Sequence, residues 1–179
     1  MRVYISCDHR NDFFLLAVKE GRERIASSLS PSSIELVYPP RGWGGDTGKI
    51  LTNVLQIMDA DLILIDITPS VHTLAGESLG QITKYNEGVL IEYGIVLCLD
   101  NPKQGTLPWG GRIPKPSYRI FCSKSFSRSG LTPIVNVESV VEYGTDAKSR
   151  DILVGQLRDE ILRKVEERLT LNYTRTSTL

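Results

Sequence analysis

Residues 62–65 (Leu-Ile-Leu-Ile) form an unbroken apolar run between Asp61 and Asp66, where a strand with one solvated face would alternate. The run predicts a buried strand, covered on both faces and ending at Asp66. Four more segments read as strands: 2–6, β-branched and aromatic; 34–38, with partial alternation; 118–122; and a last one at either 133–137 or 140–143. Between them the period lengthens to that of helices. Phe14, Ala17, Val18, Ile25 and Leu29 make one stripe behind a cap at Asn11 or Asp12. Ile50, Leu51, Val54, Leu55 and Met58 make a second, capped by Asp46 or Thr47. Residues 89–99 give three turns interrupted by Glu92 and Gly94, and Ile152, Leu153, Leu157, Ile161, Leu162, Val165 and Leu169 mark a long amphipathic helix over 147–171.

Residues 77–85 fit either a short helix or irregular chain. The polar insert at 103–117 is too long for an ordinary connection and reads as functional or disordered, and 172–179 as a frayed tail. Strands alternating with helices predict one α/β domain over 1–171 with right-handed crossovers. The expected architecture is a flavodoxin-like three-layer sandwich around a five-stranded parallel sheet, order 2-1-3-4-5.

Composition narrows the partners. The 179 residues carry 21 basic and 21 acidic side chains, a formal net charge of zero, which argues against nucleic acid and for a small molecule or a protein. Cys7, Cys98 and Cys122 are odd in number and widely spaced, so neither a disulfide framework nor a zinc site is expected. The chain enters its first strand without an apolar leader, and no run reaches the length of a membrane span. A cytoplasmic protein with no membrane partner is the expectation.

Chemistry-bearing residues gather at the predicted carboxyl ends of the strands, where open α/β sheets bind ligands, and the Asp8, Arg41, Asp66 and Glu92 regions are expected to face one cleft. Asp66 closes the central strand; its plainer role is a turn residue that satisfies the amides around Thr68. Glu92 shares its helix face with Gly88, Val89, Ile95 and Val96. Desolvation there raises a carboxyl pKa and prepares an acid or nucleophile, unless a cation such as Lys84 pairs with it. The loop after the first strand offers Asp8, His9 and Arg10, and the glycine-rich loop after the second carries Arg41 and Trp43. His9 and His72 accompany no nucleophile elbow, and Gly48-Lys49 lacks the spacing of a phosphate-binding loop.

Ala60-Asp61-Leu62-Ile63-Leu64-Ile65-Asp66, followed by Gly88-Val89-Leu90-Ile91-Glu92-Tyr93-Gly94, resembles the paired signature of the nucleoside 2-deoxyribosyltransferases and the related TIR-like nucleotide-processing domains. In that pattern an apolar strand ends in an acid, and a later G-x-x-x-E-x-G segment opens a helix with the catalytic glutamate. The resemblance covers the first hundred residues. It implies a flavodoxin-like fold and reaction at a ribosyl anomeric carbon, hydrolysis or deoxyribosyl transfer on a nucleoside, nucleotide or NAD. Glu92 would be the nucleophile or oxocarbenium stabiliser and Asp66 would orient the ribose or assist the leaving group. The substrate-binding set expected around them is Ser6, Asp8, Arg10, Arg41, Trp43, Thr68, Asn86 and Gly88.

No cofactor is expected, NAD entering only as substrate, and homo-oligomers and a role in antiviral defence are compatible with the family. Two departures leave the substrate open: no Trp-Cys pair precedes the glutamate, and Glu87 stands where the transferases place an aspartate. The rival from another class is a non-catalytic nucleotide-sensing or protein-interaction module. A response-regulator-like domain fits less well, since Cys7-Asp8-His9 follows the first strand in place of an acidic pair.

Overall fold

The computed structural model describes residues 1–26, 34–39, 47–73, 81–100, 117–125 and 140–176. Their elements run β1 (Arg2–Ser6), α1 (Asp12–Ala26), β2 (Glu35–Val37), α2 (Thr47–Met58), β3 (Leu62–Asp66), β4 (Ser70–Thr73), β5 (Gln81–Lys84), α3 (Glu87–Asp100), β6 (Tyr118–Ser123), β7 (Val140–Tyr143) and α4 (Ala147–Thr176). Five strands form one sheet in the order β2-β1-β3-β6-β7, every neighbouring pair parallel. Counting only those strands, the order is 2-1-3-4-5, and the four helices make this a three-layer flavodoxin-like α/β fold.

Strand alternation builds two cores. Val3, Ile5, Leu62, Leu64, Phe121 and Tyr143 pack against Phe14, Ala17, Val18 and Ile25 of α1 and Leu153, Val154, Leu157 and Ile161 of α4. The opposite faces of the same strands supply Tyr4, Ile63, Ile65 and Ile120 to a second core with Ile57 of α2 and Val89, Tyr93 and Val96 of α3. Every residue of β3 is buried, which is why its sequence shows no alternation. Helices α1 and α4 lie so close at Gly21 that an added Cβ would meet Val154 O at 3.3 Å and Arg158 N at 3.4 Å.

Several expectations need correction. Residues 81–84, read as helical or irregular, form β5, which pairs antiparallel with β4 (Ser70↔Lys84, His72↔Ile82) in a separate two-stranded sheet. These strands are four residues each and largely polar, so they carry no apolar run to announce them. The last strand described is the one at 140–143, the alternative at 133–137 lying outside the described residues, and α4 continues past Leu171 to Thr176. Helix α2 is turned from its expected phase: Ile50, Leu51 and Leu55 are exposed, and Asn53 and Ile57 are inside. The insert at 103–116 lies outside the described residues. No helix among the described residues is long and apolar enough to cross a membrane.

Candidate active site

Asn86 caps α3, its Oδ1 accepting a hydrogen bond from the Val89 amide at 3.3 Å. Gly88 sits in the first turn, and Glu92 follows with only 2% of its surface exposed. Glu92 faces Tyr4 and Ser6 of β1 and Asn53 of α2, all fully buried. Asn53 Nδ2 donates to Glu92 Oε1 at 3.0 Å. The hydroxyls of Tyr4 and Ser6 approach the carboxylate without completing a bond of ordinary geometry. Four buried atoms, Glu92 Oε2, Tyr4 OH, Ser6 Oγ and Asn53 Oδ1, are thus left without a partner among the described residues.

A buried polar atom left unpaired costs roughly 1–3 kcal/mol, and the Tyr4 and Ser6 hydroxyls, which act on Glu92 as weak donors, are what this carboxylate has beyond Asn53 among the described residues. Burial pushes the Glu92 carboxyl up to about 7, against the pull of the Ser6 and Tyr4 hydroxyls. Burial, followed by the charge of Glu92, holds the Tyr4 phenol far above its ordinary value, so it stays protonated and can only donate to an ionised Glu92.

Asp66 belongs to a different environment. Its Oδ1 accepts from the Thr68 hydroxyl at 2.6 Å and the Thr68 amide at 3.2 Å, the Asx-turn arrangement. Tyr143 OH lies 3.2 Å from both carboxylate oxygens, and Asn11 Nδ2 donates to Oδ2. Asn11 also caps α1 through Oδ1 and the Phe14 amide at 3.2 Å. Asp66 therefore ties β3 to β7 and to the start of α1, and its bonding capacity is taken up. Burial lifts it to about 6, with Thr68, Tyr143 and Asn11 pulling the other way.

The expectation of one shared cleft is thereby revised. Ser6 pairs with Ile65, so Asp66 is offset from it by one residue and points to the opposite face of the sheet. Glu92 works on the α2/α3 face, Asp66 on the α1/α4 face. Between them, at the rim, Asp8 receives a two-pronged ion pair from Arg10, Nε at 3.1 Å and Nη2 at 2.9 Å, together with the Arg10 amide and the Asn86 side chain. Burial opposes ionisation of Asp8, but these donors outweigh it and hold it at about 2. The Cys7 thiol lies within reach of all three acids: burial, then Asp66, Glu92 and Asp8, raises it well beyond its ordinary range, so it is no thiolate.

Of the expected substrate-binding set, Ser6 lies with Glu92, Thr68 with Asp66, and Asp8, Arg10 and Asn86 join the two regions. Arg41 and Trp43 lie outside the described residues. A Cβ at Gly94 would meet nothing within 4 Å, so no neighbour demands that glycine of the motif. Tyr4, Asn53 and Tyr143 are not among the site residues expected from the sequence, which offers Asn11 only as a helix cap. Asn53 had a signal, the one amide side chain in the apolar stretch from Ile50 to Ile57 apart from Gln56. No protein-family model matches the chain, and no curated protein does.

Proposed function

We propose that this chain cleaves or exchanges an N-glycosidic bond of a nucleoside, nucleotide or NAD, with Glu92 attacking the anomeric carbon. The observation that carries the reading is the asymmetry of the Glu92 carboxylate: Asn53 pins Oε1 at 3.0 Å while Oε2 is buried and unpartnered beside two hydroxyls. Oε2 is then the attacking oxygen. It forms the bond to C1′ as the bond from C1′ to the base nitrogen breaks and its electron pair leaves with the base. The base of a neutral nucleoside takes up a proton from solvent as it leaves; water, or the N–H nitrogen of a second base, then gives a proton to solvent as it attacks C1′, and the Oε2–C1′ bond breaks to restore the carboxylate. The first acceptor gives hydrolysis and the second transfer.

The Tyr4 and Ser6 hydroxyls steady the carboxylate in each step. Asp66 acts at one remove, fixing the loop ends through Thr68, Asn11 and Tyr143, which replaces the direct ribose contact that the sequence suggested. The test is base release from NAD and a nucleoside panel by wild type and Glu92→Gln. Release by wild type alone supports the reading; saturable binding of these compounds without product supports the non-catalytic sensor.

A further inference from the structure

A hollow of about 330 Å³ opens on the α1/α4 side of the sheet's carboxyl edge, away from Glu92. Loops leaving four strands wall it, contributing Arg10 after β1, Ser70 after β3, Ser125 after β6 and Thr145 after β7. Asp8 also lines it, beside Arg10, and its floor is made by Asn11, Thr68 and Tyr143, whose polar groups are taken up with Asp66 and with one another. The volume is at the lower end of the roughly 300–1,000 Å³ of ligand pockets, suited to a monosaccharide and too small for a dinucleotide.

Among the described residues the one cation on this wall is Arg10, with half its side chain exposed. Asp8 takes its Nε and Nη2 edge and Ser70 Oγ accepts from Nη2 at 3.3 Å, whereas Nη1 bonds to nothing among the described residues. A guanidinium with an available edge, ringed by hydroxyls, recognises an anionic oxygen cluster on a hydroxylated body. We propose that this hollow is a second binding site, distinct from Glu92, that takes a phosphate monoester of a pentose-sized sugar, the phosphate on Arg10 and the sugar hydroxyls on Ser70, Ser125 and Thr145.

The site stands whether or not Glu92 is catalytic. Because Arg10 also holds Asp8, and Asp8 holds Asn86 at the cap of α3, a phosphate drawing on Arg10 also bears on the helix that carries Glu92. The experiment is an amide-shift NMR titration with ribose 5-phosphate, and with ribose and inorganic phosphate separately. Ribose 5-phosphate is expected to saturate, moving the amides of Thr68, Ser70, Ser123 and Ser125, with ribose and phosphate each much weaker. Arg10→Gln is expected to weaken binding at least tenfold, about 1.4 kcal/mol. Thr145→Trp, an exposed change that fills the hollow and leaves Asp8 alone, is expected to abolish it, and Glu92→Gln to leave it intact. Absence of saturable shifts into the millimolar range overturns the proposal. So does binding that survives both Arg10→Gln and Thr145→Trp, or that is lost in Glu92→Gln.

Discussion

Glu92 and Asn53 form a pair that neither helix reveals alone. An apolar helix face makes a carboxylate costly, and here the cost is met by one amide from a residue 39 positions away, which also decides which oxygen stays available. Replacing Asn53 by Leu is expected to drive the Glu92 carboxyl above 7, moving the acid limb of a kcat/KM profile to higher pH and costing about 1–3 kcal/mol of stability. An unmoved limb would separate Asn53 from Glu92. Both buried acids also tie stability to pH. Glu92 rises from 4.5 to about 7 and Asp66 from 3.8 to about 6, so over that window the native state keeps protons that the unfolded chain releases. Stability then falls as pH rises from about 4 to about 7 and levels off above. Asp8, held at about 2, works in the other direction, only below about 4. Urea midpoints at pH 5 and pH 8 should differ in wild type, and Glu92→Gln should remove up to on the order of 3 kcal/mol of that difference. Equal pH dependence in both proteins would show that Glu92 titrates normally.

Helix α1 was legible because it buries one face: Phe14, Ala17, Val18 and Ile25 of the expected stripe are all fully buried, and its fifth member, Leu29, lies outside the described residues. Helix α2 was not, because it has apolar residues on two sides. Periodicity favoured Leu51 and Leu55, but contact with Glu92 and the second core turns Asn53 and Ile57 inward. The β4–β5 hairpin escaped for a related reason, since four-residue polar strands are held by pairing and carry little hydrophobic signal. Caps were readable in part: Asn11 was one of two candidates for α1, the Asp46 candidate for α2 lies outside the described residues, and Asn86, expected only as a substrate contact, caps α3 while also reaching Asp8. Asn86→Ala is expected to cost about 1 kcal/mol and to speed hydrogen exchange in the first turn of α3. Unchanged exchange there would mean that the cap is not what holds Glu92 in place.

The parallel sheet and its strand order followed from strands alternating with helices, and from the fully buried β3 in particular. The division of the acids did not follow, because it depends on strand register. Only the pairing Ser6↔Ile65 tells that Ser6 and Asp66 look to opposite faces, and that pairing joins residues far apart in the chain. The consequence is a molecule with an unsatisfied carboxylate on one side and a filled, buttressing carboxylate beneath an open hollow on the other. What the reading most needs is a direct measurement of base release, by chromatography of NAD and nucleoside incubations with wild type and Glu92→Gln. A base released by wild type, with a loss of roughly a hundredfold or more in the variant, is the expected result. Equal rates in the two proteins, or no product from any of these compounds with wild type, would contradict it.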